Sequence, residues 1–240
     1  MFKNLFTILI ATPFLFFSQN YKEDLLSVGK NFSNLKNYSL VMNYQLFLDH
    51  NMNKSFQERK IDIKKQGNNI RIEQSSGLEM LENEKYQIVA NNKTKELSVI
   101  KKEKGTSDSE SLNLYSALST NIDSVTRIYD KVKLIEKTAD KVKYELIYKP
   151  NEQIEKLILV IDKKTQMYQS VTIFYKKPVK VNELDGKMHL VTLKISYNNF
   201  TANSIANSSL FSEGSFFILD KKGKVSPIKK YSGYELIIPQ

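Results

Sequence analysis

Short runs in which apolar and polar residues alternate, each closed by turn-forming residues, fill most of this chain and leave few folds open to it. Across residues 38–48, Tyr38, Leu40, Met42, Tyr44 and Leu46 alternate with Ser39, Val41, Asn43 and Gln45. Successive side chains of a strand point to opposite faces, so this pattern predicts a strand with one apolar face. Asp49-His50-Asn51 ends it as a polar turn. Further strands are predicted over residues 56–64, 70–74, 78–81, 86–90 and 97–101, with turns at Gln66-Gly67-Asn68, Ser75-Ser76-Gly77 and Asn91-Asn92-Lys93. Such close spacing is the mark of an antiparallel meander.

The rhythm resumes at residues 131–135, 142–148, 157–161 and 167–175, and Asp185-Gly186 is a hairpin signal. A long strand is predicted over residues 188–200, with Val191, Leu193, Ile195 and Tyr197 opposite Leu190, Thr192, Lys194 and Ser196. The tail offers strands over residues 216–219 and 234–238 with a turn at Lys222-Gly223. Two segments have helical spacing instead. In residues 20–37 the stripe is Tyr21, Leu25, Val28, Phe32 and Leu35; in residues 108–124 it is Leu114, Leu118 and Ile122, followed by Val125. The class expected is α+β: a curved antiparallel sheet, an incomplete half-open barrel, with an N-terminal and a mid-chain helix over its open face. Residues 20–240 are expected to form one domain, in which 213–240 is a C-terminal strand extension without assigned role.

Residues 5–17 carry no charge, follow Lys3 and contain Pro13. A bilayer span needs about 20 apolar residues, so this is a signal-peptide core rather than an anchor, with cleavage expected after Gln19. The address expected is the periplasm. With no cysteine in the chain, lipid attachment at a leader cysteine, disulfides and thiolate chemistry are excluded. The formal charge is +10. In an exported protein that favours anionic headgroups or an acidic protein surface over nucleic acid, although the lysines are spread along the whole sequence.

No catalytic constellation is visible. The two histidines, His50 and His189, are distant in sequence, and eight glycines leave little room for a phosphate-cradling loop. The expectation is a protein that is not an enzyme, with no catalytic residue, metal or cofactor, acting as a monomer.

The order of elements resembles the LolA-like periplasmic carriers of outer-membrane lipoproteins. The resemblance runs over about residues 20–212. It is carried by Asp24-Leu25-Leu26 through Leu35-Lys36-Asn37-Tyr38-Ser39, by residues 78–86 and 93–99, and by residues 193–200 with Leu210-Phe211. Where those carriers have an Arg-Pro pair, this chain reads Lys64-Lys65-Gln66, and it lacks tryptophan. The resemblance implies a cavity for acyl chains between sheet and helices. It would be lined by Leu40, Met42, Tyr44, Ile61, Ile63, Ile70, Ile72, Ile88, Leu97 and Val99 and covered by Leu114, Leu118 and Ile122. The function implied is a periplasmic carrier or sensor whose partner is an acylated lipoprotein or lipid. The alternative is a non-enzymatic cell-envelope interaction protein on the same scaffold, its core filled, with an envelope protein as partner.

Overall fold

The computed structural model describes residues 20–103, 128–150, 152–181, 186–204 and 206–238. The leader and the mid-chain helix expected over residues 108–124 lie outside the described residues. The chain opens with α1 (Asn20–Asn34), followed by β1 (Asn37–Leu48), β2 (Gln57–Gln66), β3 (Asn69–Gln74), β4 (Leu78–Glu82), β5 (Tyr86–Asn91) and β6 (Glu96–Lys101). After residue 128 come β7 (Tyr129–Lys137), β8 (Lys141–Tyr148), β9 (Ile154–Asp162) and β10 (Met167–Tyr175). Then follow β11 (Val179–Lys180), β12 (Met188–His189) and β13 (Val191–Ala202). The tail holds β14 (Phe217–Leu219), β15 (Val225–Pro227) and β16 (Glu235–Ile237).

Twelve strands form one curved, unclosed sheet in the order β16-β6-β5-β4-β3-β2-β1-β13-β10-β9-β8-β7. The join between its two meanders is the pairing of β1 with β13, where Tyr44 faces Ile195 and Leu46 faces Leu193. The sheet is antiparallel except at one edge, where β16 lies parallel to β6. That is a departure from the all-antiparallel expectation, made possible because the tail returns across the sheet before pairing. The other edge strand, β7, carries Lys131, Lys133 and Lys137, and charge on an edge discourages pairing with another chain.

Directly paired residues share a face, so the registers trace both faces. One row runs Leu134, Tyr144, Leu159, Val171, Ile195, Tyr44. Another on that face runs Leu40, Ile63, Ile72, Met80, Val89. This is the helix face. The whole predicted stripe of α1 docks on it: Leu25 and Val28 are buried, with Tyr21, Phe32 and Leu35 packed around them. Tyr144 donates a hydrogen bond to Asp24 at 2.5 Å, and Gln166 accepts from Ser27 and Asn31 at 2.9 and 2.7 Å, so the helix is pinned in its second turn and again in its C-terminal half.

The opposite row runs Arg71, Leu81, Ile88, Val99. This is the tail face. Phe211, Phe216, Phe217 and Tyr231 bury Leu81, Tyr86, Ile88, Ala90, Leu97 and Val99 there. The rings of Phe216 and Tyr231 stack with centroids 5.5 Å apart. Arg71 crosses the layer, its guanidinium donating to Glu73, Glu79, Ser215 Oγ and the Leu210 carbonyl. Glu79 in turn accepts from Lys230 at 2.6 Å and from Tyr231 at 3.0 Å. Buried charge on both sides of the layer is thus paired, as it must be away from water. The extension beyond residue 212 is therefore a strap over the back of the sheet.

Candidate functional site

The core of the helix face is mainly aliphatic but carries several tyrosines. Tyr38, Tyr129, Tyr144, Tyr168 and Tyr197 are buried within its core. Burial pushes the Tyr38 phenol up from 10.0 to about 12 and raises those of Tyr44, Tyr168 and Tyr197 by the same cause. Desolvation disfavours the phenolate, so this surface is neutral across the physiological range.

Toward β2 the described residues leave the face unfilled. A pocket of about 280 Å³ opens there, walled by Tyr44, Leu46, Ile61 and Leu193 with Gln57, Arg59 and Gln74 among its polar lining. Its geometry follows from the register. Leu46 pairs with Leu193 on one side and with Gln57 on the other. Tyr44 pairs with Arg59 and Met42 with Ile61, and Ile61 pairs with Gln74 at the end of β3. Aliphatic walls with amide and guanidinium groups beside them suit a molecule with an apolar body and a polar or anionic end. Arg59 is exposed and makes no ion pair among the described residues.

The residues expected to line one cavity separate into three groups. Tyr44 and Ile61 line the pocket. Leu40 and Met42 are buried in the core of the same face, with Ile63 packed against it, and Ile70 and Ile72 are buried on that face of β3. Ile88, Leu97 and Val99 do not belong with them. They point to the tail face and are sealed beneath the strap. Alternation marks which residues of a strand share a side, and the pairing between strands decides which sides coincide. Leu114, Leu118 and Ile122 lie outside the described residues. Sequence reasoning passed over Leu46, Gln57, Arg59, Gln74 and Leu193. Leu46 and Leu193 already stood on apolar strand faces, and the β1–β13 register is what joins them.

The two histidines, distant in sequence, meet at the β1 end. Asp49 Oδ2 lies 3.1 Å from His189 Nδ1, while His50 Nδ1 shares a 2.7 Å hydrogen bond with Thr192 Oγ1. Glu155 Oε2 is 4.0 Å from His50 Nε2. Hydroxyl, imidazole and carboxylate in that order match a nucleophile, its base and an orienting acid, yet Thr192 is 0% exposed, which closes its hydroxyl to substrate. The cluster anchors instead a turn whose Asp49 and His50 both have positive φ, 53° and 56°. Among the described residues no group of three or more His, Cys, Asp or Glu side chains could hold a metal ion, and no helix is long and apolar enough to cross a membrane.

No protein-family model matches the chain, and no curated protein matches it. Solved structures do. In the MucA/MucB complex from Pseudomonas aeruginosa the match is 12% identical with a TM-score of 0.46, covering 81% of this chain and 62% of that one. The chain thus spans under two thirds of the length of that relative. The lipoprotein LppX of Mycobacterium tuberculosis is 7% identical with a TM-score of 0.44, covering 79% and 98%. A LolA superfamily protein from Nitrosomonas europaea is 11% identical with a TM-score of 0.30, covering 80% and 97%. A solved LolA-type structure is therefore among those this chain is similar to, and at these identities the likeness is one of fold alone.

Proposed function

We propose that this protein is a periplasmic carrier or sensor that holds an acyl chain of a lipid or lipoprotein against the helix face of its sheet. The observation that carries the reading is the unfilled pocket between Tyr44, Leu46, Ile61 and Leu193, with Arg59 beside it. Each acyl methylene buried there contributes about 0.8 kcal/mol, and the guanidinium supplies a fork for a carboxylate or phosphate end. A volume of about 280 Å³ is close to the lower end of small-molecule pockets, about 300 Å³, so it suits one chain rather than several. The neutral phenol of Tyr44 in its wall favours an uncharged body.

The test is uptake of a fluorescent fatty acid by the purified protein and by Leu193→Trp, which fills the pocket. The expected result is saturable binding in the wild type and a loss of at least about tenfold in the variant with an unchanged urea midpoint, each tenfold step being about 1.4 kcal/mol. Equal uptake by both proteins would place the ligand elsewhere.

A second reading rests on a different observation: away from the pocket, α1 closes the helix face with Leu25 and Val28. On that reading the core is filled and the protein acts in the envelope by binding another protein. Absence of any fatty-acid uptake, with a native mass free of bound lipid, is its expected signature.

A further inference from the structure

The β14–β15 hairpin stands apart from the strap that carries it. At its base Phe216 and Phe217 are buried against the tail face, and Ile228 N–H donates to the Phe216 carbonyl at 3.0 Å. Two residues further on, Ile218 is 61% and Leu219 is 46% exposed. Consecutive strand residues point to opposite sides, so exposure of both means that neither side of the hairpin is covered at that level. The hairpin projects clear of the body with an apolar residue on each side.

Its turn is basic and rigid. Lys221, Lys222 and Lys224 are all exposed, and none makes an ion pair among the described residues. The acid between them and the apolar pair, Asp220, is occupied: its Oδ1 accepts from the backbone N–H groups of Lys222 and Lys224, both at 2.8 Å. Gly223, at φ +80°, lets the turn close with its N–H on the Asp220 carbonyl at 3.0 Å. A short preorganised tip therefore presents two aliphatic side chains beside an excess of positive charge, three lysines against the single carboxylate of Asp220.

We infer that this hairpin docks the protein on an anionic lipid bilayer, Ile218 and Leu219 entering the boundary between headgroups and acyl chains while Lys221, Lys222 and Lys224 contact lipid phosphates. Charge complementarity selects the occupant: three free lysines need an anionic surface, and exposed aliphatic tips on both sides need an apolar layer that receives them from any direction. A bilayer interface supplies both, whereas an acidic protein surface supplies the first. The site lies on the strap and is independent of the pocket on the helix face.

The chain has no tryptophan, so Ile218→Trp installs a single reporter. The expected result with vesicles containing phosphatidylglycerol is a blue shift of its emission and quenching by brominated acyl chains, with neither for vesicles of phosphatidylcholine alone. In co-sedimentation the unlabelled protein should bind the anionic vesicles, and Lys221→Gln, Lys222→Gln and Lys224→Gln should each weaken binding about fivefold. Ile218→Ser with Leu219→Ser should weaken it further, and none of these exposed positions should alter the urea midpoint or fatty-acid uptake. An unshifted spectrum with anionic vesicles overturns the inference. So does full retention of vesicle binding by the triple glutamine variant. Equal binding to polyglutamate, unaffected by the two serines, would replace the bilayer with an acidic protein surface.

Discussion

The two faces of this sheet are built from similar strands and closed in different ways. The tail face is sealed by a segment of the chain itself: four aromatic rings of the strap stand on aliphatic residues of β4, β5 and β6, and Arg71, Glu79, Lys230 and Tyr231 tie the layers together. Among the described residues, the helix face is covered by α1, a helix of 15 residues, leaves space beside Leu46 and Leu193, and is rich in phenols. A face meant only to be stable is filled to native density. Among the described residues the strapped side is thus tightly packed, while the helix side retains unfilled space.

The comparison breaks most sharply at the strap. Phe216→Ala should destabilise the protein by about 3–5 kcal/mol, the range for deleting a buried aromatic ring, read as a fall in urea midpoint at unchanged slope. A smaller loss would mean that the strap is a loose cover. Glu79→Ala comes next. It removes the acceptor of the buried Tyr231 hydroxyl and one of the acceptors of Arg71, which keeps Glu73, Ser215 and the Leu210 carbonyl, at an expected cost of about 1–3 kcal/mol. The matching Lys230→Ala should cost under about 1 kcal/mol, because that ammonium is largely in water. If the two variants cost the same, the ion pair rather than the buried acceptor carries the tie.

The faces should also part with pH. Tyr38 on the helix face, raised to about 12 by burial, keeps its proton in the folded state while the unfolded chain loses it near 10. Its contribution is complete below pH 10 and is lost as the pH rises toward 12. Tyr44, Tyr168 and Tyr197 are shifted in the same direction for the same cause. Stability should therefore fall steeply from pH 10 upward, and Tyr38→Phe should flatten part of that slope. A Tyr231→Phe change on the tail face, where Lys230 works against the burial that raises the phenol, should flatten it less. Denaturant midpoints at pH 8, 10 and 11 decide the matter. The most local effect belongs to the helix tether: Tyr144→Phe, which removes the bond to Asp24, should cost about 1 kcal/mol and raise amide exchange in α1 alone.

Much of the local architecture was legible in the residues. The stripe from Tyr21 to Leu35 is the buried face of α1, and turns expected at Gln66-Gly67-Asn68 and Asn91-Asn92-Lys93 join the strands they should join. Gly77 shows why glycine stands in the turn between β3 and β4. Its φ is +90°, and an added Cβ would lie 3.0 Å from that of Asn92. The lining of the pocket was legible only in fragments: Tyr44 and Ile61 are among the residues expected to line a cavity, while Arg59, Leu46 and Leu193 are not. Ile88, Leu97 and Val99 looked like companions of Leu40 because all are apolar strand residues.

Periodicity within each segment was enough to settle which residues form strands, where the chain turns, and that α1 is amphipathic, because these depend on the geometry of a few neighbouring residues. Which face of one strand continues which face of the next was decided by register, since a one-residue difference in pairing moves every side chain to the other side. Register placed Ile88 under the strap and Ile61 beside the pocket. It also brought Leu46 against Leu193, and His50 against Thr192, 142 residues apart in sequence. The role of the tail was likewise a tertiary matter: three short strands of little local signal become a strap only because the sheet offers their aromatic rings an uncovered apolar face on which to stand.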